Sequence, residues 1–86
     1  MAWQINYAES VVKKVRKFSP ENQKRLRNFL EERLASLHDP RSLGKALIGE
    51  YKIWRYRVGK YRILCEIKDS EIVILVVDIG HRSKIY

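Results

Sequence analysis

The sequence predicts an α+β fold in a single domain that spans residues 1–86. Three observations lead to this prediction. Apolar residues of the first half recur at helical spacing, aromatic and β-branched residues dominate the second half, and turn-forming residues separate the segments. The predicted order is β-α-α-β-β-β, with an N-terminal helical hairpin packed on one face of an antiparallel four-stranded sheet. A length of 86 residues suits one such domain.

The first half of the chain predicts one strand and then two helices. Residues 2–7 alternate apolar and polar side chains, as a half-buried strand does. Ser19 as N-cap, followed by Pro20, predicts the start of the second helix. The segment His38-Asp39-Pro40 should end it, because the residue before a proline avoids the α region. The first helix is indicated by an apolar stripe from Ala8 onward, at Val11, Val12, Val15 and Phe18.

The second half predicts a loop and three strands. Residues 41–49 are expected to form the loop, with Leu43, Leu47 and Ile48 tucked beneath the sheet. The strands are predicted over 51–58, 60–68 and 71–79, with tight turns at Val58-Gly59 and Asp69-Ser70. Residues 72–77 are apolar at every position, which favours a central strand that Gly80 ends.

The charge of the chain favours an anionic partner. Lys and Arg number 18 against 10 Asp and Glu, so the formal net charge is +8. No apolar segment has the roughly 20 residues that a membrane span needs, so the expected location is the cytoplasm. The one cysteine, Cys65, excludes an internal disulfide and is expected to be buried. Two isolated histidines and no clustered carboxylates predict no metal site, and we expect no cofactor.

Residues 51–62 interleave basic and aromatic side chains. A strand with this pattern has one face for a core and one face for an anion. Trp54 and Tyr56 are expected on the core side, and the basic residues on the other side suit the phosphates of RNA. A single arginine on a strand is equally typical of a solvated sheet edge. Only the combination of basic and aromatic residues therefore favours RNA binding. The residues predicted to bind RNA are Lys45, Arg57, Lys60, His81 and Lys84.

A set of side chains near the chain end suits cleavage of RNA. If the three C-terminal strands are neighbours, Arg55, Arg62 and Arg82 can converge on one spot. When a 2′-hydroxyl attacks the adjacent phosphorus, guanidinium groups stabilise the negative charge that gathers on the phosphate oxygens. The reaction also needs an acid and a base. The candidates for proton transfer are Tyr86, His81 and Lys52.

Two spaced motifs, residues 54–64 (WRYRVGKYRIL) and 79–86 (IGHRSKIY), carry a resemblance to a known family. With the Leu-Ile-Gly loop at 47–49 and the predicted element order, the whole chain resembles the RelE/ParE superfamily of bacterial and archaeal toxins, and specifically its RelE branch. RelE-like toxins belong to type II toxin-antitoxin systems. They cut messenger RNA in the ribosomal A site by attack of the 2′-hydroxyl, without a metal, and so inhibit translation.

The resemblance also implies residue roles. Arg62 matches the strand arginine that holds the scissile phosphate in the family. Arg82 matches the family's arginine after the glycine, and Tyr86 matches the family's tyrosine near the C-terminus. Arg55 falls on a position that is basic in relatives, and so does Lys52 if the hairpin is aligned one residue differently. Lys60 departs from the pattern, since many relatives carry an acidic residue there.

The resemblance implies partners as well, and it leaves one alternative open. Members of the family are neutralised by an acidic antitoxin, so we expect a monomer alone and a heteromeric complex with a RelB-like antitoxin. Messenger RNA and the ribosome are the other expected partners. The alternative is a toxin-fold protein that is no nuclease: a ParE-like inhibitor of DNA gyrase, or an inactive relative that binds only its antitoxin.

Overall fold

The computed structural model describes residues 2–47 and 52–81. Strand β1 (Gln4–Tyr7) leads into helix α1 (Glu9–Val15) and helix α2 (Pro20–Arg27), and α2 continues as a π-helix (Asn28–Leu34). A short 3-10 helix (Pro40–Leu43) precedes the remaining strands. These are β2 (Lys45–Ala46), β3 (Ile53–Val58), β4 (Tyr61–Lys68) and β5 (Val73–His81), with a 3-10 turn (Asp69–Glu71) between β4 and β5.

The sheet is five-stranded and mixed, so the prediction of a four-stranded antiparallel sheet is wrong in this respect. The strand order is β1-β5-β4-β3-β2. β1 pairs with β5 in parallel, and the other neighbours are antiparallel. The alternation within residues 2–7 identifies a strand but contains no information on the direction of its partner. The α+β class and the central position of the apolar strand, between β1 and β4, are confirmed.

Several element boundaries differ from the predictions. The segment predicted as a loop contains β2, whose Lys45 pairs with Arg55 of β3, and Leu43 in this segment is 40% exposed. Ile48 lies outside the described residues. At the other end, β5 runs through Gly80 to His81 instead of ending at Ile79. Gly80 keeps the strand because it faces Arg62 in the ladder with β4.

The start of α2 is as predicted, whereas its end is not. The hydroxyl of Ser19 accepts a hydrogen bond from the backbone N–H of Asn22 at 3.3 Å, and Pro20 occupies the first turn. The helix, whose last part is the π-helix, ends at Leu34, before the predicted His38-Asp39-Pro40 boundary. No helix in the described part of the chain is both long and apolar enough to span a membrane.

The core lies between the helices and one face of the sheet. Helix side chains such as Leu26 and Leu30 meet alternate residues of the strands there. Cys65 and Tyr56 are buried, with 0% and 1% exposed, and Trp54 packs against the cluster, as predicted. Since strand side chains alternate between faces, the residues between these core positions point away from the helices. That second face carries the arginines of β3 and β4.

Tyr56 is fixed from three sides, and this arrangement predicts the effect of one substitution. Its hydroxyl donates a hydrogen bond to the carbonyl of Pro40 at 2.8 Å, and its ring lies 6.1 Å from that of Phe29. A Cβ atom at Gly44 would lie 2.8 Å from the Tyr56 ring and 3.2 Å from the Arg55 carbonyl oxygen. The glycine is therefore needed for close approach.

We expect Gly44→Ala to lower the free energy of unfolding by about 1–3 kcal/mol, the usual cost of overpacking. The anchored ring cannot move aside without losing its bond to Pro40. Urea denaturation followed by circular dichroism measures the change. The exposed Ser42 in the same segment provides the control, Ser42→Ala. Equal stability of the two variants would contradict the close approach.

Candidate functional site

Three residues form a row across the sheet on the face that points away from the helices. Arg57 of β3 pairs directly with Arg62 of β4, and Arg62 pairs with Gly80 of β5. Paired residues share a face, and core residues such as Ile63 lie on the other one. Like charges placed directly opposite each other destabilise a sheet. The cross-strand pairing of two arginines therefore contributes no stabilising charge interaction of its own.

Arg62 is held more firmly than an ordinary surface arginine. Its side chain is partly buried, and its Nε atom is fully enclosed. The neighbour on one side, Gly80, has no side chain, which is typical of a strand position where a ligand approaches closely. The neighbour on the other side, Arg57, is exposed. The row thus presents a partly enclosed guanidinium group beside a residue that has no side chain of its own.

Two further predicted residues lie on the same face. Arg55 is two residues before Arg57 on β3 and is a diagonal neighbour of Arg62, at about 7–8 Å. Lys45 of β2 pairs with Arg55. The structure therefore brings Arg55, Arg57 and Arg62 together, with Lys45 at the edge.

Three basic residues of this face, Lys45, Arg55 and Arg57, form no ion pair with another described residue. The ion pairs there join Lys13 to Glu9, Lys14 to Asp78, Arg27 to Glu31, and Arg41 to Asp39 and Asp69. None of these pairs includes Lys45, Arg55 or Arg57. An anion that binds beside these three residues thus meets cations that no described carboxylate pairs with.

The basic residues continue into a cleft at the β2 and β3 edge of the sheet. This cleft has a volume of about 290 Å³. Arg33 lines it from the π-helix, opposite Arg55 and Arg57, and was not among the predicted site residues. The other lining residues are Phe29, Leu43 and Lys45. Sequence reasoning could not have found Arg33, because its direction depends on how the second helix lies across the sheet.

The remaining predicted residues within the described ranges lie apart from the row. Lys60 is exposed in the turn after Gly59, whose φ of +58° favours glycine. His81 pairs with Tyr61, and the two rings meet edge to face at 6.1 Å on the helix side of the sheet. Lys52 precedes β3, at the opposite end of that strand from Arg57 and about 16 Å away along it.

Three predicted residues, Arg82, Lys84 and Tyr86, lie outside the described residues. Their roles stay predictions. Arg82 follows the row residue Gly80 by two positions in the sequence, which is why it remains part of the candidate site.

Several ionisable groups near the sheet are unsuited to proton transfer. Burial raises the pKa of the Cys65 thiol far above its usual range, so it stays protonated and unreactive. Burial also raises the pKa of the Tyr56 phenol, which serves instead as a hydrogen-bond donor to Pro40. At the far end of the sheet, a hydrogen bond from Arg41 lowers the pKa of Asp69. Within residues 2–47 and 52–81, no three His, Cys, Asp or Glu side chains are grouped as metal ligands.

Comparison with solved structures identifies the fold. A chain of the toxin-antitoxin complex RelBE2 from Mycobacterium tuberculosis superposes with a TM-score of 0.85 at 21% identity, covering 96% of this chain and 94% of that one. The isolated RelE toxin of E. coli gives a TM-score of 0.75 at 23% identity, with coverages of 93% and 84%. A chain of the RelB-RelE complex from Methanococcus jannaschii gives 0.73 at 26% identity, with 94% of both chains covered.

Comparison of sequences identifies the family. No curated protein matches the chain. The family model for the ParE toxin of the type II toxin-antitoxin system parDE matches residues 6–86, which is nearly the whole sequence. This match agrees with the RelE-like fold and with the resemblance to the RelE/ParE superfamily. The chain therefore belongs to the ParE toxin family and is a toxin of a type II toxin-antitoxin system.

Proposed function

We propose that this toxin is a ribosome-dependent endoribonuclease that cuts messenger RNA in the A site and so inhibits translation. The observation that carries the proposal is the row of Arg57, Arg62 and Gly80 on the face away from the helices. The likeness to solved RelE structures agrees with it.

The row suits the transition state of cleavage by the 2′-hydroxyl. Negative charge gathers on the non-bridging phosphate oxygens as the hydroxyl attacks, and preorganised donors stabilise that charge best. Arg62 has the required rigidity because its Nε end is enclosed. Its planar donors match two phosphate oxygens, and its ladder neighbour Gly80 has no side chain to keep a phosphate away. Arg55 and Arg57 add positive charge from the neighbouring strand.

In this proposal Tyr86 is the base that takes the proton of the 2′-hydroxyl, and the leaving 5′-oxygen takes a proton from water. Of the three predicted candidates, His81 contacts Tyr61 on the helix side, and Lys52 lies at the far end of β3. Tyr86 is the candidate that the resemblance to RelE-like toxins implies. A phenol titrates near pH 10, so neighbouring guanidinium groups would favour its ionised form and make it a better base.

Arg82→Ala tests the reaction. We expect the cleavage rate to fall at least about 10-fold, which corresponds to about 1.4 kcal/mol of lost transition-state stabilisation. The measurement is expression in a bacterial host followed by primer extension on a translated message. The parent should produce cuts at fixed codon positions, and the same cuts should be at least about 10-fold weaker in the variant. Persistent cuts at the parental rate would contradict the role of Arg82.

Inhibition of DNA gyrase is the second candidate function, because the matching family model describes ParE toxins. The same expression experiment distinguishes the two. Growth arrest with intact messages and with DNA damage would favour the gyrase target and overturn the nuclease proposal. Codon-positioned cuts without DNA damage would favour the nuclease.

An acidic antitoxin is the proposed protein partner. The matched structures from M. tuberculosis and M. jannaschii are toxin-antitoxin complexes, and this chain carries a net charge of +8. An anionic chain laid across the arginine row would gain from charge complementarity and would block the path of RNA.

A further inference from the structure

We propose that the cleft at the β2 and β3 edge binds a nucleotide that flanks the scissile phosphate, with Arg33 as its phosphate ligand. The inference rests on the proposed RNA substrate. It extends the RNA path from the open face of the sheet, around the edge of β3, to the second helix.

The cleft is continuous with the arginine row. Arg57 belongs to both, since it pairs with Arg62 in the row and also lines the cleft with Arg33 and Arg55. Alternate residues of a strand lie about 6.6 Å apart, so Arg55 and Arg57 form a spaced pair of cations. Such spacing suits a polymer that carries one charge in every repeating unit. A strand of RNA held at Arg62 therefore has a basic path to follow.

No ion pair among the described residues compensates the charges in the cleft. Arg33, Lys45, Arg55 and Arg57 all line it, and none of them takes part in an ion pair among the described residues. Grouping four cations without an acid is unfavourable for the free protein. A bound phosphate would remove that repulsion, and guanidinium forks bind phosphate oxygens bidentately.

The walls of the cleft suit a base or a ribose. Phe29 and Leu43 provide apolar surface beside the cations, and Leu43 is 40% exposed. Aromatic and apolar contacts of this kind hold unpaired bases without selecting their identity. An acidic peptide would use the cations but would leave this apolar surface unmatched. The combination therefore favours single-stranded RNA.

The π-helix positions two residues that line the cleft and that were not among the predicted site residues, Phe29 and Arg33. Phe29 and Arg33 are four positions apart within Asn28–Leu34, so they lie on one side of the helix. The backbone N–H of Ala35 donates to the Leu30 carbonyl at 3.1 Å, a hydrogen bond of the wider π type. Such segments are rare and often occur at functional sites.

The test measures the binding of a short fluorescent 2′-O-methyl oligouridylate, which has no nucleophile and cannot be cut. For Arg33→Gln we expect an affinity loss of about 3- to 10-fold. The slope of the logarithm of the binding constant against the logarithm of the salt concentration should become less steep by about 0.7, the effect of one lost phosphate contact. The control is Lys24→Gln, which removes one charge from the exposed side of α2 and should leave the slope unchanged. Leu43→Ser should weaken binding without changing the slope, since Leu43 carries no charge.

Several results would overturn the proposal. Equal effects of Arg33→Gln and Lys24→Gln would mean that only the overall charge matters. A Leu43→Ser variant that binds as tightly as the parent would exclude contact with the base. Dependence on Arg33 for a poly-glutamate peptide but not for the oligonucleotide would assign the cleft to an acidic protein. Cleavage of messages is measured separately. Intact messages together with Arg33-dependent RNA binding would reject the nuclease function and leave the cleft assignment standing.

Discussion

Arg62→Ala is expected to reduce cleavage of translated messages by at least about 10-fold, equivalent to about 1.4 kcal/mol or more at the transition state. The reason is the position of this side chain between Arg57 and Gly80, where we propose that the scissile phosphate binds. The variant should still fold, because the Arg62 side chain lies outside the core cluster. Its partly buried stem predicts a modest loss of stability rather than none. Primer extension measures cleavage, and thermal denaturation measures folding.

Two variants make the result specific. Arg62→Lys keeps the charge and most of the aliphatic stem but removes the planar fork, so we expect cleavage between that of the parent and that of the alanine variant. Arg16→Ala removes an arginine at the end of α1, far from the row in the sequence, and should cleave like the parent. If Arg62→Ala cleaves normally, or if Arg16→Ala is equally impaired, the row is not the site of catalysis.

The predictable part of the fold is the part that local chemistry determines. Ser19 and Pro20 predict the start of α2 because a hydroxyl cap and a fixed φ act within one turn. The apolar run in residues 72–77 predicts a central strand because only such a strand is covered so completely. The parallel pairing of β1 with β5 is a different case. It joins residues some 70 positions apart, and neither segment encodes the direction of the other.

The candidate site likewise has features that local sequence determines and features that depend on distant parts of the chain. The turn between β3 and β4 lies at Gly59-Lys60, and it sets the register that pairs Val58 with Tyr61 and Arg57 with Arg62. The predicted turn at Val58-Gly59 is one residue too early and would have given Arg57 a different partner. Gly80 was predicted to end a strand, yet its backbone pairing with Arg62 keeps it inside β5. Arg33 was missed because a π-helix has no sequence signature, and the direction of its side chains depends on packing across the sheet.

Ile63→Ala is expected to lower the free energy of unfolding by about 2–5 kcal/mol, the usual range when a buried large aliphatic side chain is cut to alanine. Ile63 is fully buried, and its partners in the ladders are Tyr56 and Ile79, which belong to the same core. A domain of this size has roughly 5–15 kcal/mol of stability, so the loss is a large share. In urea denaturation the midpoint should fall with little change in slope.

The comparison with Arg62 gives this prediction its force, since the two residues are adjacent on β4 but lie on opposite faces of the sheet. Ile63→Ala should reduce stability, while the protein that remains folded still cleaves messages. Arg62→Ala should lose cleavage and keep most of its stability. Ile63→Val, which leaves a smaller cavity, should cost only about 0.5–1.5 kcal/mol. Two results would contradict this division of the sheet into a core face and a site face. One is that Ile63→Ala unfolds at the same urea concentration as the parent. The other is that Ile63→Ala abolishes cleavage in protein that is still folded.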